Sequence, residues 1–204
     1  MATALSDIRR NEAGGDLWQS TAAALTAVDT LFDAAKSSVR EVVAPSGKID
    51  AALLDREQFA AHGLAWLEVY RQALYHVRDW AERLEAEDSF GEREQLMLSM
   101  AFGEYLTRIE GGIPMSQVEA VRPQDLYLDD AVIAAFADEP AVHHLVRTGN
   151  TPVNRARLAE LIEEGNFGAW GLGDETLEMI REQFQIFSDD KVIPVAHGWH
   201  ERDE

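Results

Sequence analysis

The chain has 204 residues, 46% of them hydrophobic, which is enough apolar mass for a packed core and excludes a disordered coil. Lys and Arg number 18 against 37 Asp and Glu, a formal charge of −19, so phosphate-rich nucleic acid and anionic membrane surfaces meet net repulsion. Cysteine is absent, which removes disulfides, thiolate metal sites and thiol nucleophiles together and suits a reducing compartment.

No segment approaches the roughly 20 uninterrupted apolar residues of a membrane span, and Met1 to Arg10 lacks the apolar run of a secretory signal. A cytoplasmic location is expected. Residues 1–15 are small, polar and glycine-containing, a composition that predicts a loose tail. From Asp16 to Val43, Leu25, Val28, Leu31, Phe32, Ala35, Val39 and Val42 recur at three- and four-residue steps, one face of a helix. Pro45-Ser46-Gly47 stops it. A second long helix is expected from Asp50 to Glu85, with Leu54, Phe59, Leu64, Leu67, Tyr70, Leu74, Val77, Trp80 and Leu84 at helical spacing. Gly63 inside it costs about 1 kcal/mol against alanine, which points to a close approach or a bend.

Ser89 reads as the next N-cap, with Glu92 completing a capping box. The helix it opens runs to Glu110 with Leu96, Met97, Met100, Ala101, Tyr105, Leu106 and Ile109, and Gly111-Gly112 and Pro114 close it. Ser116 to Leu128, containing Pro123, reads as an extended connector. Short helices are expected over Asp129–Ala137, after Pro140, and from Thr151-Pro152 to Glu164. Glycine-rich residues 166–173 form a linker, and a last helix starts near Asp174 with Leu177, Ile180, Phe184, Phe187 and Val192 on one face, ended or kinked at Pro194. No strand alternation appears. The expected fold is all-α: an antiparallel bundle of long amphipathic helices followed by shorter ones.

Elimination narrows the chemistry. No glutamate has histidine three residues on, which removes the pairing that di-iron bundles use. Glu139 with His143, and His197 with His200, are too sparse for a metal centre, and no metal-binding residue is assigned. His62 and His76 read as hydrogen-bonded side chains, and the five tryptophans as packing anchors. There is no phosphate loop, no dinucleotide fingerprint and no nucleophile elbow; Gly171-Leu172-Gly173 reads as linker and cap.

Two stretches carry a resemblance. Leu177-Glu-Met-Ile-Arg-Glu-Gln-Phe-Gln-Ile-Phe187, with Val192-Ile-Pro-Val-Ala-His-Gly-Trp199-His200, resembles the opening helix of acyl-CoA dehydrogenases. Asp55-Arg-Glu-Gln-Phe-Ala-Ala-His-Gly-Leu-Ala-Trp66-Leu67, Phe102-Gly-Glu-Tyr-Leu106 and Gly111-Gly-Ile-Pro-Met-Ser-Gln117 resemble the N-terminal extension of the (2S)-methylsuccinyl-CoA dehydrogenase branch. Val118 and Trp170 depart from that pattern. The resemblance implies a helical extension over 16–165 and the start of the common N-terminal helical domain over 174–204. It also implies a parent enzyme in which a glutamate takes an α-proton and FAD takes the β-hydride. The family holds flavin and thioester in later domains, so no catalytic or cofactor-binding residue is carried over here, and this chain alone is expected to bind no cofactor. Met115, Ser116 and Gln117 are the candidate contacts to substrate or subunit. Expected partners are the rest of an acyl-CoA dehydrogenase or a homologous subunit, acyl-CoA through that enzyme, and a homo-oligomer. The alternative is a free-standing helical module that partners a flavoprotein.

Overall fold

The computed structural model describes residues 2–203, with side chains described from Leu17 onward. The chain divides into two compact units, Met1–Gly168 and Ala169–Glu204. The tail expected over residues 1–15 lies outside the described side chains.

In the first unit, α1 (Ala2–Val43) buries Leu25, Val28, Leu31, Ala35 and Val39, the face its spacing predicts. The expected second helix is two: α2 (Ala51–Arg56) and α3 (Gln58–Ala86). They part at Glu57, whose backbone leaves the helical region (φ −102°, ψ 24°) and whose carboxylate accepts a 2.5 Å hydrogen bond from Tyr127 Oη. That partner is 70 residues away, so local periodicity carries no trace of the break. Asp50 caps α2, its Oδ1 accepting from the N–H groups of Ala52 and Leu53.

The next helix, α4 (Glu92–Gly111), starts from Gly91 rather than Ser89. Glu94 reaches back to the Gly91 N–H at 3.0 Å, while the Ser89 hydroxyl turns to the Glu87 carbonyl. Capping by a carboxylate from inside the helix displaces the serine cap that the sequence suggested. The buried face of α4 is Leu98, Phe102, Leu106 and Ile109; Met97, expected inside, is 38% exposed.

Beyond α4 the connector is more ordered than expected. It holds an antiparallel ladder of two residues a side, β1 (Ile113–Pro114) and β2 (Ala120–Val121), then a 3-10 turn, Pro123–Leu126. Strands this short show no alternation in sequence. Helices α5 (Asp130–Ala137), α6 (Pro140–Thr148) and α7 (Pro152–Glu163) follow, α7 capped by the Thr151 hydroxyl.

The core closes as a four-sided bundle: α1 packs on α3, α3 on α4, α4 on α6, and α6 back on α1. The wall that completes it is a helix of nine residues. It fits because Gly103 on α4 and Gly149 at the end of α6 let two backbones meet; a Cβ on Gly103 would lie 2.7 Å from Asn150 N and 2.8 Å from Leu145 O. Phe102 and Leu106, with 0% exposure, fill the centre, and burying such side chains contributes roughly 1.5–3 kcal/mol each.

In the second unit, α8 (Glu175–Phe187) is capped by Asp174, and α9 (Ile193–Arg202) follows a π turn at Ser188–Val192. Pro194 lacks the N–H of a continuing helix and crowds the preceding turn; the backbone widens there and helix resumes.

Gly103→Ala is expected to lower unfolding stability by about 1–3 kcal/mol through overpacking against backbone. Gly111→Ala, with nothing within 4 Å of the new Cβ, is expected to leave stability unchanged or raised by up to about 1 kcal/mol. Urea unfolding of both variants checks the pair.

Candidate functional site

The candidate contact residues sit on the hairpin that follows α4. Gly112, at φ 132°, turns the chain from helix into strand in a conformation that favours glycine, and its N–H still donates to the Arg108 carbonyl at 2.8 Å. Ile113 and Val121 pair across the ladder and bury their side chains, 3% and 2% exposed. Val121 rests on α3 at Gly63, where a Cβ would overlap its methyl group. Gly63 therefore serves close packing, one of the two roles its position allowed.

Met115, Ser116 and Gln117 divide the work of the turn. Met115 is half-buried against the core, and its N–H donates to the Glu119 carbonyl at 2.9 Å. Ser116 is exposed, yet its hydroxyl is committed within the turn. It accepts from the N–H groups of Val118 and Glu119 and donates to the Glu119 carboxylate at 3.3 Å. Gln117 is exposed, and beside it Val118 is 93% exposed. Sequence reasoning treated Val118 as a departure from a pattern and missed that it is the apolar tip of a tied turn. No Lys or Arg lies between Ile113 and Val121. The tip is thus apolar, with the Glu119 carboxylate as the one charge between Ile113 and Val121.

Two polar clusters hold the surrounding helices. Asp29 on α1 accepts from Arg71 Nε at 2.6 Å and Tyr75 Oη at 2.5 Å on α3. Glu104 on α4 accepts from Arg108 Nε and from Asn150 Nδ2, both at 2.7 Å, and Arg155 donates to Asn150 Oδ1 at 2.8 Å. The Asn150 hydrogen bond, then that of Arg108, holds the Glu104 carboxyl below the ordinary carboxylate range. Arg108 also donates to Tyr70 Oη on α3 at 3.4 Å. His62 accepts from the Trp66 indole at 3.1 Å, a hydrogen-bonded side chain as expected. Among the described residues no group of three or more His, Asp or Glu is placed to hold a metal ion, and no helix is long and apolar enough to cross a membrane.

The second unit presents a different surface. Leu177, Ile180, Phe184 and Phe187 line one side of α8, and Met179 and Ile186 widen it; all six are 46–71% exposed. At 3.6 residues per turn these positions sweep roughly half the circumference, broader than the single stripe that packs on one neighbour. Among the described residues of this unit none on α8 is buried.

No family model matches the chain. Over 194 residues, 93% of its length, it is 50% identical to (2S)-methylsuccinyl-CoA dehydrogenase of Cereibacter sphaeroides. The chain spans 34% of that relative's length. The unmatched part of the chain is shorter than either unit, so the similarity runs through both. The resemblance read from Asp55 to Leu67, Phe102 to Leu106, Gly111 to Gln117 and the two terminal helices is thereby borne out.

Because folding lowers the Glu104 carboxyl, its stabilisation is complete above the unfolded value of about 4.3 and is lost as pH falls through the folded value. Asn150→Ala removes the leading cause. The Glu104 carboxyl is expected to rise toward its ordinary range in an NMR titration, and the acid limb of unfolding to move to higher pH.

Proposed function

We propose that this chain is the helical assembly region of an FAD-dependent acyl-CoA dehydrogenase that desaturates a short branched dicarboxylic acyl-CoA between its α and β carbons. The observation that carries the reading is the 50% identity that runs through both units. Flavin and acyl-CoA both carry phosphates, and the described residues fit neither: the chain has a net charge of −19, and its hairpin turn carries Glu119 and no cation. Flavin and thioester are therefore assigned to the portion of the enzyme that this chain does not span, and no step of proton or hydride transfer is assigned to these residues.

What the chain contributes is contact. The half-circumference of apolar surface on α8 needs a cover on two sides, the environment of a helix seated between neighbours. Gln117 and Val118 form a second contact, directed at a neighbouring subunit rather than at acyl-CoA. The same apolar helix supports one other reading, a separate helical subunit that binds a flavoprotein in trans.

Isolation from the native source tests this reading by intact mass, flavin content and oxidation of (2S)-methylsuccinyl-CoA with an artificial electron acceptor. A mass well above 22.7 kDa with bound flavin and activity supports it. A 22.7 kDa species that co-purifies with a flavoprotein moves the assignment to the separate subunit. A species of that mass with neither flavin nor flavoprotein overturns both. In the active enzyme Val118→Asp is expected to weaken subunit assembly in sedimentation with KM for acyl-CoA unchanged; a raised KM with intact assembly would place substrate at the hairpin.

A further inference from the structure

A surface on the first unit remains unexplained by the hairpin, by α8 or by the proposed reaction. After its first residue, Asp130, helix α5 reads Ala131-Val-Ile-Ala-Ala-Phe-Ala137, seven apolar residues without a polar position. A helix apolar on every side belongs in an interior. Here Phe136 is buried, but Ala131, Ala134 and Ala135 are exposed. Between α5 and α1 lies an open groove of about 610 Å³. Its α1 wall is Ala23, Thr26, Ala27, Thr30 and Leu31. The threonine hydroxyls turn back onto their own helix, Thr26 to the Ala22 carbonyl at 3.1 Å and Thr30 to the Thr26 carbonyl at 2.9 Å. The wall thus presents methyl groups, at a depth that small side chains leave open to a helix.

The charge around the groove selects the occupant. Asp129 and Asp130 stand at one end of α5, Asp138 and Glu139 at the other, and Glu139 lines the groove itself. We propose that the α1–α5 groove is a docking site for a partner polypeptide's helix, apolar for about two turns and flanked at each end by Lys or Arg. A second copy of this chain is a poor occupant. Its exposed apolar helix, α8, has Asp174 and Glu175 at one end and Asp189 and Asp190 beyond the other, which would set acid against acid. This assignment rests on α1 and α5 alone and stands whether or not the dehydrogenase reading holds.

The test uses the full chain and three synthetic peptides: a Leu/Ala heptad flanked by Lys-Lys at both ends, the same heptad flanked by Glu-Glu, and a Ser/Gln heptad flanked by Lys-Lys. Calorimetric titration is expected to show the first binding at least tenfold tighter than either control, and weaker with added salt. Ala135→Arg is expected to reduce that affinity at least tenfold with helix content and melting unchanged. Should Ala135→Arg unfold the protein, Asp129→Lys with Asp138→Lys, both on exposed positions, provides the second variant; each end of α5 then carries one Lys against one remaining acid, and the preference for the Lys-flanked over the Glu-flanked peptide is expected to fall at least tenfold. Equal binding of the polar Lys peptide would reduce the effect to general attraction by an acidic protein and overturn the proposal. So would an affinity indifferent to these variants, or a dimer of the chain that occupies the groove and is broken by Ala135→Arg.

Discussion

The first unit depends on one contact between backbones, where Gly103 of α4 meets Gly149 at the end of α6. Close approach lets a helix of nine residues act as the fourth wall of a bundle whose other walls have 20, 29 and 42 residues. With α6 drawn in, Val142 and Leu145 reach the centre and are fully buried beside Phe102. The same contact brings Asn150 to Glu104, so the hydrogen-bonded cluster at that corner is a consequence of the packing and reinforces it. It also fixes where α5 lies, because only two residues separate α5 from α6.

Charge is distributed to match this packing. Most of the acid excess lies on exposed helix faces, where single ion pairs contribute little. The exception is Arg93 with Glu94, 8% and 4% exposed, joined at 2.6 Å. The second Glu94 oxygen takes the Gly91 N–H, and Arg93 also donates to the Phe167 carbonyl. A buried pair of this kind adds little net stability against an apolar replacement, but loss of one partner costs about 3–5 kcal/mol. Through these contacts the pair links the first turn of α4 to Phe167, just ahead of Gly168.

The helical chain thus carries three kinds of outward surface: a tied hairpin with an apolar tip, a helix that is apolar over half its circumference, and a methyl-lined groove between acidic ends. None of these arrangements suits phosphate, and all suit protein. That division agrees with the proposed role of an assembly region in an enzyme whose chemistry is carried by other residues.

The sequence by itself determined the helical class, the buried face of α1, the Thr151 cap, the close-packing option at Gly63 and the apolar side of α8. Each of these is set within a few residues, by periodicity or by a local hydrogen bond. Resemblance in the hairpin and in the terminal helices likewise rested on contiguous residues, and it held over 93% of the chain. Tertiary structure decided the break at Glu57. It also decided the fourth wall of the bundle and the groove beside α5. These depend on Tyr127 meeting Glu57, on Gly103 meeting Gly149 and on α5 lying against α1. Partners tens of residues apart leave no periodic signal, because the energy that selects them arises only when the folded chain brings them into contact.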